Sequence, residues 1–465
     1  MTVIASIAIA AVAVALIASL HAILYKRDVR AAIGWAGFIW IVPFIGALLY
    51  LLFGVNRIRR RAASLRGSKD LATAERSAYA ETTPLGNLIR LGDAVCHNAL
   101  RPGNRIALLD SGAAAFAAML ERIEASRLSV SLATYIFEDD SVGGRFIDAL
   151  ARASARGVVV RVLMDAVGSR DDGFSVSRAL SRAGARAARF LPARAPAGIL
   201  TANLRNHRKL VIVDGETAFT GGMNISDAHA RDSRDRKAIR DTHFMIEGPV
   251  VSDLQQTFVE DWDFTTGERL AGEAWFPAPK LPGDAETRAV ADGPDEDFER
   301  TRWIILGAIA SARTVIRIVT PYFLPDTALI VALNVAALRG VSVEIMIPER
   351  LDHAIVKWAS NALLWQVLEK GCRVWFTPPP FDHSKLFTVD GAWALFGSSN
   401  WDPRSLRLNF ELNLEAFSRS VAAAVDRIID ERRDSGREVT LAMMDSRTLP
   451  VRIRDGLARL VSPYL

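Results

Sequence analysis

One pattern occurs twice in this chain and constrains its fold more than any other feature. Residues 207–215 read His-Arg-Lys-Leu-Val-Ile-Val-Asp-Gly, and residues 383–391 read His-Ser-Lys-Leu-Phe-Thr-Val-Asp-Gly. Both are H-x-K-x-x-x-x-D-G. Each continues to a small-residue turn and an Asn, Gly221-Gly222-Met223-Asn224 and Gly397-Ser398-Ser399-Asn400, with the Asn 17 residues after the His in both. So many residue types at fixed offsets mark the duplication of a whole structural unit. Around the two copies the chain alternates helical and strand-like segments. Ala113–Ile123 and Gly143–Ala155 have helical spacing, and Leu128–Ile136 and Val158–Asp165 read as strands. Later, Trp303–Ala312 and Leu329–Arg339 read as helices, and Val315–Pro321 and Val341–Pro348 as strands. The order helix, strand, helix, strand, twice over, predicts an α/β fold in two halves.

The run from His to Asp is rich in β-branched and apolar residues and predicts a strand. Side chains alternate faces along a strand, so His207 and Lys209 share a face about 6.6 Å apart, as do His383 and Lys385. Asp214 and Asp390 complete each motif. They have the opposite parity and precede a Gly, which is hairpin-turn chemistry. Parity points them away from the His and Lys, toward a role in orienting the motif. The lysines bring positive charge, and Asn224, Asn400 and small-residue backbone N–H groups bring donors; together they suit phosphate oxygens. One His can attack phosphorus while another protonates the leaving alcohol and later deprotonates the incoming one. Such a pair titrates as one unit. This chemistry needs no metal and no organic cofactor. A lone His in a strand is ordinarily a satisfied structural residue; two copies with matched Lys and Asn are not accounted for that way.

The apolar residues concentrate at the N-terminus. Thr2–Tyr25 and Ala31–Val55 contain no Asp, Glu, Lys or Arg, and each exceeds the ~20 residues that span a bilayer as a helix. Lys26-Arg27-Asp28-Val29-Arg30 connects them, and Trp35, Trp40 and Tyr50 are candidate interfacial aromatics. The pattern predicts a hairpin of two membrane helices. Two alternatives stay open. One is a signal peptide cleaved near residue 22, against which stands the missing basic residue ahead of the apolar run. The other is a second segment made re-entrant by Pro43 and Gly46. The bases Arg57, Arg59, Arg60, Arg61, Arg66 and Lys69 outnumber Lys26, Arg27 and Arg30 of the connection, which points the C-terminal bulk to the cytoplasm. The same run suits anionic headgroups. Across 465 residues, a composition 50% hydrophobic and 23% charged excludes global disorder, and a net charge of +5 offers no broad basic groove for nucleic acid. Cys96 and Cys372 stand far apart in no metal-binding spacing, which speaks against a disulfide scaffold and a cysteine zinc site.

The doubled H-x-K-x-x-x-x-D pattern resembles the phospholipase D superfamily, and more narrowly its two-motif bacterial cardiolipin synthases. The resemblance covers nearly the whole chain. The apolar stretch Pro43–Gly54 is similar to the membrane segment that precedes these enzymes. Tyr135-Ile136-Phe137 with Asp139 and Gly144 resembles the first strand and helix, and Thr320-Pro321-Tyr322-Phe323 with Pro325-Asp326 is its counterpart. Asn400-Trp401-Asp402-Pro403-Arg404-Ser405, continuing to Asn409-Phe410-Glu411-Leu412-Asn413, is the most family-specific stretch; Arg240-Asp241-Thr242-His243 and Glu260-Asp261-Trp262 also match. The resemblance implies a covalent phosphatidyl-histidine, with His207 as nucleophile and His383 as acid/base, and Lys209, Lys385, Asn224 and Asn400 holding the phosphate. It implies that Glu411, 28 residues after His383, hydrogen-bonds a catalytic His, and that Asp241 is its partner at the longer offset of 34. The extra length spans Ala228–Lys237, a lid at the pocket mouth or a solvated loop. Asp382, directly ahead of His383, departs from the apolar residue expected there.

The implied fold is α/β: two similar phospholipase D-like α/β/α lobes, residues 105–290 and 291–465, with the active site between them. A transmembrane helical hairpin (1–56) and a basic juxtamembrane segment and linker (57–104) precede them. The implied reaction joins two phosphatidylglycerol molecules into cardiolipin and glycerol at a bacterial inner membrane. Phosphatidylglycerol and anionic membrane lipids are the expected partners, and nucleic acid is not. A hydrolase, or a transferase to another alcohol, uses the same chemistry and differs in its product. The intact motifs oppose an inert membrane scaffold.

Overall fold

The computed structural model describes residues 2–26, 29–54, 83–169, 172–191, 204–232, 234–294 and 299–462. The N-terminal segment forms a unit of its own. Its first helix, α1 (Thr2–Tyr25), is uncharged and 24 residues long, about 36 Å, enough to cross a bilayer. Among the described residues it alone has that length and composition. The second apolar segment is not the single span expected. α2 (Val29–Ile41) has 13 residues, about 20 Å, and ends where Val42 leaves the helical region ahead of Pro43 (φ −137°, ψ 78°). Proline lacks the N–H that continues a helix and forces the preceding residue toward extended backbone. α3 (Pro43–Leu49) then folds back on α2: a Cβ on Gly46 would lie 2.8 Å from Ile39 Cα, an approach only glycine permits. Beyond it the Tyr50 hydroxyl meets His21 Nδ1 at 2.8 Å, and its ring packs edge-on against Trp35 at 5.3 Å. The basic run 57–69 lies outside the described residues.

The rest of the chain builds one 15-stranded sheet from two halves. The first half supplies β1 (Arg101–Leu109), β2 (Ser129–Thr134), β3 (Val159–Asp165), β4 (Arg186–Phe190), β5 (Leu210–Val213), β6 (Thr217–Gly221), β7 (Ile239–Arg240) and β8 (His243–Glu247). The second supplies β9 (Ala285–Asp292), β10 (Val315–Val319), β11 (Ser342–Pro348), β12 (Arg373–Thr377), β13 (Phe381–Asp382), β14 (Leu386–Val389), β15 (Trp393–Gly397), β16 (Glu411–Phe417) and β17 (Arg437–Val439). From the centre outward the first half runs β1-β8-β6-β5-β2-β3-β4 and the second β9-β16-β15-β14-β10-β11-β12, with β17 added at the edge. β1 and β9 pair antiparallel and fuse the halves. β7 and β13, outside the sheet, pair parallel across them.

Each half follows the sequence pattern. β2–β3 and β10–β11 are parallel pairs, and a parallel pair needs a crossover, usually a helix. Helices Ser141–Ala155 and Thr327–Leu338 supply it. Asp140 and Asp326 cap them, accepting from Gly143 N at 2.8 Å and Leu329 N at 3.0 Å. Each half buries its own apolar cluster, around Leu132, Phe146 and Val162 in the first and Leu329, Ile345 and Val374 in the second. The Asp-Gly pairs turn as expected. Asp214, Gly215, Asp390 and Gly391 have φ of 52°, 64°, 53° and 59°, the left-handed values that a type I′ hairpin turn needs at both central positions.

The motif strands start later than expected, at Leu210 and Leu386. His and Lys lie on the approach because their backbone bonds elsewhere. His207 N donates to Phe410 O at 2.9 Å and His383 N to Arg240 O at 2.7 Å, each in the opposite half. Behind each approach sits a buried ion pair. Arg208 meets Asp261 at 2.7 Å, and Asn206 donates to the same carboxylate at 2.9 Å. In the second half the polarity is reversed: Asp382 meets Arg432 at 2.6 Å and accepts from Ser384 N at 3.0 Å. The unexpected Asp ahead of His383 is thus one end of an anchor to the helix Arg419–Ser435. Arg432→Met strands the Asp382 charge and is expected to cost about 3–5 kcal/mol in thermal unfolding. The Asp382→Leu, Arg432→Met double variant is expected to regain most of that loss; a double variant as unstable as the single removes the ion pair as the cause.

Candidate active site

Both motif histidines are buried at the seam between the halves, and each is held by a carboxylate of the other half. His207 Nδ1 lies 3.0 Å from Glu411 Oε2 and 3.2 Å from the Ser398 carbonyl. His383 Nδ1 lies 2.8 Å from Asp241 Oδ2. A carboxylate at Nδ1 fixes the tautomer: Nδ1–H donates, and the Nε2 lone pair stays open. The placement follows from the backbone. Phe410 and Arg240 accept the histidine N–H groups, and the next residue in each case carries the carboxylate.

The two carboxylates are matched but not alike. Glu411 also accepts from Ser398 Oγ, and from Asn409 Nδ2 at 3.0 Å. Gly222 stands where Ser398 stands, and a Cβ there would sit 2.4 Å from an Asp241 oxygen; the absent side chain makes room for the carboxylate. Thr242 N donates to Asp241 at 2.8 Å. Burial drives both carboxyls up. At Glu411, His207, Lys209 and Ser398 reverse that and hold it below the usual carboxylate range. At Asp241 burial wins over Lys385 and His229, and the carboxyl is pushed up to about 6. Burial lowers both histidines, His383 further, because Lys385, Lys209 and His207 repel its charged form.

Lys209 and Lys385 are buried, and each Nζ donates to the carbonyl of its own motif His, at 2.7 Å for Lys209. Burial brings Lys209 down to about 7 and Lys385 to about 8. A phosphate between them restores the charge that desolvation removes. Asn224 Oδ1 accepts from Ile136 N at 3.3 Å, and Asn400 Oδ1 is buried with no partner among the described residues. The orphaned Oδ1 is an acceptor and suits a ligand hydroxyl, whereas the Nδ2 donors of the two asparagines suit phosphate oxygens. Asp214 and Asp390, grouped with the motif from sequence, stand outside this pocket. Asp214 accepts main-chain N–H groups of Arg127, Leu128 and Ser129, and Asp390 those of Arg313, Thr314 and Val315. They staple each hairpin to the start of the neighbouring strand and do not reach the reacting groups.

Sequence reasoning missed His229. Its ring is buried, with its centroid 6.2 Å from that of His383; Nδ1 is 4.0 Å from Asp241 Oδ2, and Nε2 accepts from Asn224 N at 3.3 Å. Burial pushes it down to about 3, so it stays neutral. Its signal was the apolar setting Ala228-His229-Ala230 inside a charged stretch. The insertion therefore has two parts: the turn Asp227–Ala230 walls the site, and Arg231, Asp232, Arg234, Arg236 and Lys237 are exposed to solvent.

The chain matches the family described as cardiolipin synthase, PLD-like domain, over residues 119–262 and 305–433, and phospholipase D-nuclease N-terminal over residues 13–54. The chain belongs to the cardiolipin synthase family. Cardiolipin synthase A of Pseudomonas entomophila is 35% identical over 97% of this chain and 96% of its own length. The cardiolipin synthase of Geobacillus thermodenitrificans is 32% identical over 95% of this chain and 90% of its own length. The crystal structure of phosphatidylserine synthase from Haemophilus influenzae Rd KW20 shares the fold, with a TM-score of 0.62, 81% of this chain and 100% of that chain covered, and 16% identity.

The lowered lysines set a pH limit on this family member. As pH rises through about 7 and then 8, Lys209 and Lys385 discharge in the empty site, so kcat/KM for transfer is expected to fall from near neutrality. Lys209→Arg keeps its charge throughout and should move the alkaline limb upward by about a unit or more. A limb that stays put belongs to another group.

Proposed function

We propose that this chain makes cardiolipin and glycerol from two phosphatidylglycerol molecules, with His207 as nucleophile and His383 as acid and base. The observation that carries this reading is the crossed arrangement: two histidines at one seam, each held by the other half's carboxylate, beside two buried lysines. The donor phosphate lies on Lys209, Lys385, Asn224 and Asn400. His207 Nε2 attacks phosphorus, the P–N bond forms as the bond to the headgroup glycerol oxygen breaks, and His383 gives that oxygen its proton. Glycerol leaves. A hydroxyl of a second phosphatidylglycerol then loses its proton to His383 and attacks phosphorus, and the P–N bond breaks. The unlike carboxylates support this division of labour. Glu411, held ionised, fixes a neutral His207 with an open lone pair. Asp241, raised by burial, takes up a proton more readily than Glu411, so of the two pairs that of His383 is the better able to hold the proton an acid gives.

The test is purified protein in vesicles with labelled phosphatidylglycerol and no added metal or nucleotide. Cardiolipin and glycerol are expected, and His207→Ala or His383→Ala should lower the rate by roughly 10²–10⁴-fold. Detergent denaturation at neutral to mildly alkaline pH, where the acid-labile P–N bond survives, should trap labelled lipid on the His383→Ala protein and none on His207→Ala. Phosphatidate without cardiolipin would make water the acceptor and defeat the proposal.

The N-terminal unit supports one span, α1, with α2 and α3 dipping into the bilayer and returning. Tyr50 beside His21 brings the chain out at the Tyr25 end of α1. By sequence alone, the bases on both sides of the second apolar segment then count toward that one end, which the positive-inside rule makes the cytoplasmic one. A two-span hairpin would divide them. In intact cells an impermeant maleimide is expected to label Thr2→Cys and not Arg419→Cys; protection of both would restore the hairpin.

A further inference from the structure

The internal duplication relates the two sides of the pocket residue by residue, and they are chemically unequal. Beside His207 lies Tyr135, its ring 5.0 Å away, and near Tyr135 lie Arg205 and Arg404. Two residues before the other motif His, the counterpart of Arg205 is Phe381, whose ring is 5.8 Å from His383. Four residues after the other motif Asn, the counterpart of Arg404 is Ala228, and Pro321 replaces Tyr135. The backbone brings the two arginines together from opposite halves: Arg205 O accepts from Phe410 N at 2.8 Å, and Arg404 O accepts from the adjoining Asn409 N at 3.0 Å. Arg205 lies against the Tyr135 hydroxyl, and the two guanidiniums repel each other. Both are half-buried, whereas the lysines are fully buried.

Asp165 and Asp402 face this pair. Asp165 spends its oxygens on the main-chain N–H groups of Val167, Gly168 and Asn206, and Asp402 accepts from Ser405 N at 2.7 Å. Two guanidiniums and a phenol in one place form an anion site, because the planar fork matches phosphate oxygens. The donor phosphate does not need it, since the lysines and asparagines hold that group. The anion left over is the phosphate of the acceptor lipid, which survives the reaction one glycerol away from the phosphorus being attacked.

Resting on the reaction proposed above, we propose that Arg205 and Arg404, with the Tyr135 hydroxyl, bind the phosphate of the acceptor phosphatidylglycerol and so favour a lipid alcohol over water or free glycerol. Among the described residues Phe381, Ala228 and Pro321 supply no counterpart of these three groups, so the acceptor's phosphate lies toward the arginine pair while its hydroxyl, one glycerol away, reaches His383.

Two acceptors can be compared on one covalent intermediate. Protein in phosphatidylglycerol–phosphatidylcholine vesicles is given labelled glycerol, and both cardiolipin and labelled phosphatidylglycerol are measured. Glycerol carries no phosphate, so its exchange into lipid reports the intermediate alone. Arg205→Ala and Arg404→Ala are each expected to lower the ratio of cardiolipin to exchanged lipid about tenfold. Arg404→Lys, which keeps charge without the fork, should fall between. The ratio is insensitive to a misfolded fraction, which lowers both products together. An unchanged ratio, or a parallel loss of both products with folded protein by circular dichroism, overturns the subsite. Wild-type protein that exchanges glycerol but forms no cardiolipin overturns the underlying reading instead.

Discussion

Two backbone hydrogen bonds, His207 N–H to Phe410 O and His383 N–H to Arg240 O, set the geometry on which the chemistry depends. Each ties the motif of one half to the carboxylate-bearing segment of the other. A side-chain contact alone would leave the imidazole free to swing. Here the main chain fixes where the ring starts and the carboxylate at Nδ1 fixes where it points, so Nε2 is aimed by two independent constraints. The fused sheet holds both constraints at once, because β1 pairing with β9 joins the halves through backbone rather than through side-chain packing.

That rigidity carries a burden. Two lysines, two histidines and two carboxylates are buried together, and desolvation works against the charged form of every one. The protein answers unevenly. Glu411 has Ser398 and Asn409 as further donors and remains ionised, whereas Asp241 has a main-chain N–H and a neutral histidine nearby and remains easier to protonate. Replacing Ser398 with Gly222, and Glu with the shorter Asp, turns two copies of one site into a pair with distinct proton affinities.

Much of this was legible before any coordinates. The Asp-Gly turns and the alternation of helices and strands are local features, written in residues close together in sequence, and the duplicated spacing marked the two halves. The Asp-Gly turn chemistry already pointed Asp214 and Asp390 to a structural place, although the parity argument beside it assumed a strand that reached back to the histidines. What depended on distant partners was not legible. The late start of β5 and β14 follows from bonds to residues about 200 and 140 positions away. The reason for Asp382 is Arg432, on a helix 50 residues later. The crossing of Glu411 to His207 and Asp241 to His383 could not be read from offsets that pair each carboxylate with the His of its own half. The return of α3 onto α2 depended on how closely Gly46 lets the backbones approach. His229 hid within an insertion whose charge drew attention to its exposed end.

The crossed carboxylates also bear on ancestry. One half of this chain has a histidine without its carboxylate and a carboxylate without its histidine, so alone it is chemically incomplete; two identical halves facing each other would complete both sets. A site of that kind is bound by its own symmetry, since every substitution appears at both poles. Joining the halves in one polypeptide lifts that bond. Only then can Arg205 face one substrate while Phe381 faces the other, and only then can a reaction between two copies of the same lipid be given a direction.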